Sequence, residues 1–226
     1  MTQIKSGLEL ANLIDHTNLK NVATKSDIEH LVKQAKHYNF YSVVVAPYYI
    51  DYTKNLLNSS PIKLCTVVGF PLGFITPKLK KKEGKIAIKK GVDEIDMVIN
   101  ISAVKSKDYE TVRREIEKLR SVAKNQVLKV IIEAELLSEE EIIKVCETAS
   151  EAEADFIKTS TGMSGQSPKI ANMNLIKKTV PDMKIKASGG IKNYKIAKRL
   201  IAAGADRIGT SSGDLIIEEY KNHVQK

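Results

Sequence analysis

Apolar runs and amphipathic segments alternate along this chain. Eight short apolar runs recur at intervals of about 22 to 33 residues, which leaves room for one strand, one helix and two short loops in each unit. The runs begin near Leu10, Phe40, Lys63, Glu94, Val127, Asp155, Lys184 and Asp206. The clearest helices between them are predicted for residues 24–37, 107–124 and 138–150. Thr24 is expected to cap the first helix, and Ser138 with Glu141 forms a capping box at the third.

Strict alternation of strands and helices predicts right-handed crossovers and a mainly parallel sheet. Eight such units in a chain of 226 residues favour a closed (β/α)8 barrel, the TIM barrel, formed by residues 1–226 as a single domain. The alternative is an open doubly wound sheet, for which a Gly-x-Gly-x-x-Gly turn is expected after an early strand. The first run leads instead into Asp-His-Thr-Asn at residues 15–18. In a barrel, polar residues at the carboxyl ends of all strands open onto one face.

The composition fits one globular unit with a full core, because 42% of the residues are hydrophobic. No apolar stretch reaches the roughly 18 residues needed to cross a bilayer, and the first residues lack the hydrophobic segment of a secretion signal. We therefore expect a cytoplasmic protein without a membrane partner. Cys65 and Cys146 have neither metal-ligand spacing nor the density of a disulfide scaffold, which predicts two buried free thiols.

The formal charge of +9 could serve an acidic partner such as nucleic acid, or could help to attract an anionic metabolite. Basic residues are scattered over many segments, and their densest run, residues 78–85, lies where a helix is expected to face solvent. Aromatic residues that could stack on bases are not interleaved with this run. We therefore expect no nucleic-acid partner, and a basic binding protein on a barrel scaffold remains a distant alternative.

Two lysines stand in apolar runs that end in small residues. Lys158 lies in Phe-Ile-Lys-Thr-Ser-Thr-Gly, and Lys186 lies in Lys-Ile-Lys-Ala-Ser-Gly-Gly-Ile. Such runs are typical of buried strands that lead into active-site loops. Burial and a neighbouring cation both lower the pKa of an ammonium group, and a neutral amine can form a Schiff base with a carbonyl substrate. The alternative, common in a lysine-rich chain, is that each lysine is simply solvated.

The spacing within these two runs favours the buried alternative. Each lysine is followed two residues later by a serine, at positions 160 and 188, so lysine and serine share one face of a strand. The apolar residues Ile157, Ile185 and Ala187 then face the other way. Two polar strand faces are therefore expected to meet.

Asp96 is a third charged group within an apolar run, Glu-Ile-Asp-Met-Val-Ile-Asn. Its side chain points into the barrel if Met97 and Ile99 face the helices. A carboxylate is costly to bury unless it is paired, so one alternative is an ion pair that only fixes the barrel interior. With Lys158 and Lys186 nearby, the better hypothesis is a proton shuttle for imine chemistry.

Glycine-rich segments follow the last two strand-like runs. One contains Gly189 and Gly190, and the other is Gly-Thr-Ser-Ser-Gly at residues 209–213. Barrels often bind phosphate at this place through backbone N–H groups, hydroxyls and the amino-terminal end of a helix. The alternative is that these glycines only form tight turns. Their occurrence after both the seventh and the eighth runs favours a phosphate site.

These segments together resemble the deoxyribose-phosphate aldolase family. The likeness rests on the runs around Asp96, Lys158 and Lys186, on Leu-Ile-Asp-His-Thr-Asn-Leu near the start, and on Arg-Ile-Gly-Thr-Ser-Ser-Gly near the end. It spans nearly the whole chain. Several separated motifs in the right order are far more specific than any one of them.

The resemblance implies a class I aldolase that uses neither a metal nor a cofactor and cleaves 2-deoxy-D-ribose 5-phosphate reversibly into D-glyceraldehyde 3-phosphate and acetaldehyde. It implies that Lys158 forms the Schiff base, that Lys186 lowers the pKa of Lys158, and that Asp96 transfers protons. The other implied site residues are Asp15, Thr17 and Thr161 around the substrate, and Gly162, Gly189, Gly190, Lys192, Gly209, Ser211 and Ser212 around the phosphate. A homodimer or homotetramer is implied as well.

Two positions limit what the resemblance implies. Met163 stands where some relatives carry a lysine, which leaves one expected phosphate contact without its residue. Some relatives end in a tyrosine that assists proton transfer, and Tyr220 either has that role or only covers an outer helix. A different phosphosugar lyase or isomerase, in which Lys158 acts as a base without a covalent bond, is the enzymatic alternative.

Overall fold

In the computed structural model, which describes residues 4, 6–163 and 167–224, eight parallel strands close into a barrel. The strands are β1 (Ile14–Asn18), β2 (Ser42–Val45), β3 (Lys63–Val68), β4 (Glu94–Val98), β5 (Val127–Ile131), β6 (Phe156–Lys158), β7 (Lys184–Ser188) and β8 (Arg207–Thr210). Each strand pairs with its neighbours in chain order, and β8 pairs with β1. The predicted TIM barrel is confirmed, and an open sheet is excluded.

Helices follow the strands around the outside of the barrel. Those of the described residues are α1 (Gly7–Ala11), α2 (Lys25–Tyr38), α3 (Ile50–Leu57), α4 (Pro77–Lys89), α5 (Ile101–Lys105), α6 (Tyr109–Arg120), α7 (Glu139–Glu151), α8 (Ile170–Thr179), α9 (Tyr194–Ala202) and α10 (Gly213–Val224). Short 3-10 turns lie at Pro47–Tyr49 and Ala134–Leu136. Among these helices, none combines the length and apolar character needed to cross a bilayer.

The caps predicted from the sequence start their helices as expected. Thr24 forms a capping box with Asp27 at the start of α2, and Ser138 forms one with Glu141 at the start of α7. The helix predicted for residues 107–124 is too long at both ends. Lys107 has a left-handed φ of 57°, which a continuous helix cannot contain, and the Asp108 side chain caps α6 by accepting from the Thr111 N–H.

The first strand begins later than the sequence predicts. Leu10 and Ala11 belong to α1, whose amino-terminal end is capped by Ser6, and β1 begins only at Ile14. Both residues are buried, and α1 packs against α10. An apolar pair is therefore compatible with a helical turn as well as with a strand, and the Ser6 cap decides for the helix.

Alternation along the strands separates two environments. Ile157, Ile185 and Ala187 belong to the large hydrophobic cluster between strands and helices, together with Met97 and Ile99. The opposite faces carry a small apolar cluster and a set of buried charged residues. The condition set for an inward-pointing Asp96 is therefore met. Cys65 in β3 and Cys146 in α7 are buried and free, as predicted.

The expectation that residues 78–85 face solvent is wrong for Lys80. Lys78, Lys82 and Lys85 are exposed, but Lys80 shares the inner face of α4 with small residues and is fully buried. Its Nζ lies 2.5 Å from Glu115 Oε2 on α6 and donates to a β4 carbonyl at 2.7 Å. A buried lysine needs such partners, because its solvation is lost.

Candidate active site

Three of the predicted residues converge on one oxygen atom inside the barrel. Asp96 lies in β4, Lys158 is the last residue of β6, and Lys186 lies at the paired position of β7. The Nζ of Lys158 donates to Asp96 Oδ2 at 2.9 Å, and the Nζ of Lys186 donates to the same oxygen at 2.8 Å. The two lysines predicted to meet are therefore neighbours, with a carboxylate oxygen shared between them.

Lys158 has the environment of a nucleophilic amine. It is only 2% exposed, and burial is the main cause that lowers its pKa below the ordinary lysine value. Asp96 opposes this shift, and the charge of Lys186 adds to it. The expectation of a lowered pKa is in line with the structure, but burial contributes more than the neighbouring cation.

The pKa of Lys186 is shifted in the opposite direction, although Lys186 is buried as well. Burial alone would lower its pKa, but Asp15 and Asp96 together raise it above the ordinary value. Its Nζ lies 2.6 Å from Asp15 Oδ2 in addition to its bond with Asp96. Burial would likewise raise the pKa of Asp96, but Lys129, Lys158 and Lys186 hold it well below its usual range. The site therefore contains an ammonium with a raised pKa, a carboxylate with a lowered pKa and an amine whose pKa is lowered.

A deeper layer of charged side chains, which sequence reasoning missed, supports this group. Lys129 in β5 donates to Asp96 Oδ1 at 2.9 Å and pairs with Glu94. Arg207 in β8 bonds Asp15 Oδ1 at 2.6 Å and Glu94 Oε2 at 3.1 Å. The signal was present, since Glu94 is two residues before Asp96 and so shares its inward face.

The two predicted residues at the start of the chain have different positions. Asp15 is fully buried and joins Lys186 to Arg207, and it also accepts from Ser42 Oγ at 2.6 Å. Thr17 lies one step higher, at the wall of the cleft, and its hydroxyl donates to the Asp15 carbonyl at 2.9 Å. Asp15 is therefore part of the charged network, and Thr17 faces the space above it.

A cleft of about 530 Å³ opens above Lys158 at the carboxyl ends of the strands. Thr17, Thr161 and Lys158 line it, as do six residues expected around a phosphate: Gly162, Gly189, Gly190, Lys192, Gly209 and Ser211. Ser212 is not among the described residues that line the cleft, and its N–H donates to Thr210 Oγ1 at 2.9 Å. The N–H of Gly162 is also engaged, by Ser160 Oγ at 3.1 Å.

The glycines around the cleft serve more than one purpose. Gly189 and Gly190 both have positive φ, 106° and 59°, so the tight turn considered as an alternative is present at the cleft wall. Gly209 makes room for the charged network, because a Cβ there would lie 2.9 Å from Lys186 Cε and 2.3 Å from Ser188 Oγ. A tight turn and a phosphate contact are compatible functions for the Gly189–Gly190 pair.

The two positions that limited the resemblance lie apart from the charged network. Met163 is 61% exposed at the rim of the cleft. Tyr220 is buried in α10 and packs edge-on against Tyr194 of α9, with ring centroids 5.3 Å apart. Its position favours the interpretation in which it covers an outer helix.

Comparison with known proteins gives consistent similarities over the full barrel. The family model described as DeoC/LacD family aldolase matches residues 10–216. A deoxyribose-phosphate aldolase from Enterococcus faecalis is 48% identical over 212 residues, 93% of this chain and 96% of the relative. One from Thermococcus gammatolerans is 48% identical over 96% of this chain and 98% of the relative. The solved tetrameric deoxyribose phosphate aldolase from Aeropyrum pernix has a TM-score of 0.91 at 33% identity, covering 97% of this chain and 94% of that one.

Proposed function

Because the chain belongs to the DeoC/LacD family of aldolases, we propose that it catalyses the reversible cleavage of 2-deoxy-D-ribose 5-phosphate to D-glyceraldehyde 3-phosphate and acetaldehyde. Its curated relatives carry the name of this activity. The observation that carries the proposal is the buried amine of Lys158, with a lowered pKa, beside Asp96 and a second lysine that stays charged. The reaction belongs to the breakdown of deoxynucleosides.

The chemistry begins with attack of the neutral Lys158 amine on the aldehyde carbon of the substrate. Loss of water from the carbinolamine gives an iminium ion, whose positive charge is stabilised by the Asp96 carboxylate within a buried site. The C2–C3 bond then breaks and its electron pair forms an enamine, while the hydroxyl on C3 loses its proton and becomes the new aldehyde. Protonation of the enamine and hydrolysis release acetaldehyde and restore the amine.

Asp96 and Lys186 are suited to the proton transfers of this sequence. Asp96 is ionised and can accept a proton, and Lys186 is protonated and can donate one. Both lie within hydrogen-bonding distance of each other, and Asp96 also contacts the reacting amine. Lys129 pairs with Asp96 and Arg207 pairs with Asp15, so both cations offset the charge of these buried carboxylates.

The upper part of the cleft is suited to an anionic phosphate group. Lys192 supplies a positive charge, Ser211 a hydroxyl and the Gly189–Gly190 turn backbone N–H groups. A phosphate bound there would place the other end of a five-carbon substrate toward Lys158, which lines the same cleft.

Free buried thiols at Cys65 and Cys146 are compatible with a reducing, cytoplasmic location.

The test is reductive trapping. Borohydride added together with 2-deoxy-D-ribose 5-phosphate or acetaldehyde should reduce the iminium and leave a stable adduct, detected by intact mass and located at Lys158 by peptide mapping. The Lys158→Met variant should fold but gain no mass. If the wild-type protein cleaves a phosphosugar and yet gains no mass, Lys158 acts as a base, and the isomerase or non-covalent lyase alternative is favoured.

We also infer that the protein assembles as a homodimer or homotetramer. The Aeropyrum pernix relative is described as tetrameric. On this chain, Leu72, Phe74 and Ile86 are exposed large apolar residues around one groove beside β3 and α4, which is a suitable surface for a second copy. Light scattering coupled to size-exclusion chromatography should give two or four times the chain mass of 25.1 kDa, and a monomer at micromolar concentration would contradict the inference.

A further inference from the structure

A carboxylate outside the cleft holds the segment that follows Lys158. Glu133 is the second residue after β5 and adopts a left-handed backbone conformation, with φ of 48° and ψ of 55°. This conformation crowds the Cβ of most side chains and is rare for glutamate. Strained residues of this kind are concentrated at sites whose geometry matters for function.

The Glu133 side chain and the next backbone group both contact the exit of β6. The N–H of Thr161 donates a hydrogen bond to Glu133 Oε1. The N–H of Ala134 donates to the Thr159 carbonyl at 2.8 Å. The two contacts lie one and three residues beyond Lys158, so they fix the path of the chain immediately after the reacting lysine.

The same turn also holds the beginning of α8. Glu135, two residues after Glu133, accepts from the Lys169 N–H at 3.0 Å and from Asn172 Nδ2 at 3.0 Å. Burial would raise the pKa of Glu135, but these hydrogen bonds and the Lys169 charge lower it. The connection between β6 and α8 is thus anchored at both ends to residues 133–135.

The anchored segment forms one wall of the cleft. Thr161 and Gly162 line the cleft, and Gly162 lies against the Gly189–Gly190 turn, since a Cβ added at Gly162 would be 3.6 Å from Gly189 Cα. Glu133 itself is not among the described residues lining the cleft. A carboxylate would also repel a phosphate, so Glu133 is unsuited to be a direct ligand.

We propose that Glu133 is a positioning residue that fixes the Thr161–Gly162 turn against Gly189 and so sets the width of the phosphate end of the cleft. The inference rests on the proposed aldolase function and extends it to one residue and one part of the substrate. A carboxylate suits this function because its oxygen accepts a strong hydrogen bond from a backbone N–H.

The experiment compares 2-deoxy-D-ribose 5-phosphate with 2-deoxy-D-ribose as substrates. Glu133→Ala removes the acceptor, and Glu133→Asn tolerates the left-handed backbone but is too short to reach Thr161. In both variants we expect KM for the phosphorylated substrate to rise about tenfold with kcat changed much less, because a misplaced binding group weakens positioning. The preference for the phosphorylated substrate should fall by a similar factor. Glu133→Gln keeps an acceptor oxygen and should retain most of the preference.

The chain offers a matched control in Glu153. This residue is also a glutamate with positive φ, 58°, but it is exposed and lies between α7 and β6, at the end of the barrel opposite the cleft. Glu153→Ala should leave KM and kcat for both substrates unchanged. The inference is overturned if Glu133→Ala and Glu133→Asn keep the wild-type preference, or if they slow both substrates equally, as a general loss of structure would. A wild-type protein that neither cleaves the phosphosugar nor forms an adduct at Lys158 would overturn the proposed function as well.

Discussion

Lys158 and Lys186 are both buried, yet their partners shift their pKa values in opposite directions. Lys158 contacts one carboxylate, whereas Lys186 contacts both Asp15 and Asp96. The sequence predicted that the two lysines meet and that burial and the neighbouring cation together lower the pKa of Lys158. Burial is the larger cause, and the second carboxylate explains why the proton stays on Lys186. That carboxylate comes from β1, far away in the chain, and its contact with Lys186 follows only from barrel closure.

Replacing Lys186 by Met should impair Lys158, the proposed nucleophile, by raising its pKa. Without the second cation, Asp96 acts on Lys158 with less competition, so the pKa of Lys158 rises and less neutral amine is present at neutral pH. We expect kcat/KM at neutral pH to fall by about 100-fold or more. This fall combines the raised pKa of Lys158 with the loss of the proposed proton donor. The acidic limb of the profile of kcat/KM against pH should move to higher pH.

A control for charge alone is available in the same cleft. Lys192 lines the cleft, and none of its contacts in the described residues is with Asp96. Lys192→Met should raise KM for the phosphorylated substrate and leave the acidic limb in place. If the limb stays in place in Lys186→Met too, the electrostatic coupling between the lysines is not what prepares Lys158.

Among the elements, the two helices that begin with a capping box, α2 and α7, were predicted best. The starts of α2 and α7 follow from Thr24 and Ser138, which signal a helix locally. The start of β1 was misplaced because an apolar pair such as Leu10-Ala11 fits a helical turn as well as a strand. The start of α6 was placed one residue before its cap, because Asp108 lacks the reciprocal partner of a capping box and the left-handed conformation of Lys107 gives no signal in one sequence.

The high lysine content of α4 led to the prediction that this segment faces solvent, although α4 has a buried inner face. Lys80, Gly84 and Ala87 are spaced by four and three residues and together face inward. The small residues bring α4 close to α6, since a Cβ at Gly84 would lie 2.1 Å from Leu119 Cδ1. Lys80 fills the remaining space and pairs with Glu115. Reading residues 78–85 by spacing instead of by charge density would have predicted one inward lysine.

The Lys80–Glu115 pair couples the stability of the whole barrel to pH. Glu115 accepts from the Asn100 N–H at 2.7 Å, and Lys80 donates to the Val98 carbonyl, so the pair joins two helices to the end of β4. Burial raises the pKa of Glu115 to about 6 despite the neighbouring Lys80, from an ordinary value of 4.5. The folded state therefore binds this proton more tightly than the unfolded chain does. The group favours folding below its ordinary pKa, and that contribution is lost as the pH rises through 6.

Removing only the cation of this pair should be costly in a manner that depends on pH. In Lys80→Met, Glu115 is buried without its counter-charge, so the free energy of unfolding at about pH 8 should fall by about 3 to 5 kcal/mol. At about pH 5 the carboxyl is protonated and the loss should be smaller. Urea denaturation followed by circular dichroism at both pH values measures the difference.

The double variant Lys80→Met/Glu115→Gln keeps an acceptor for the Asn100 N–H without a charge, and it should recover much of the loss at the higher pH. Equal losses at the two pH values, or no recovery in the double variant, would show that packing and not the buried charge accounts for the effect.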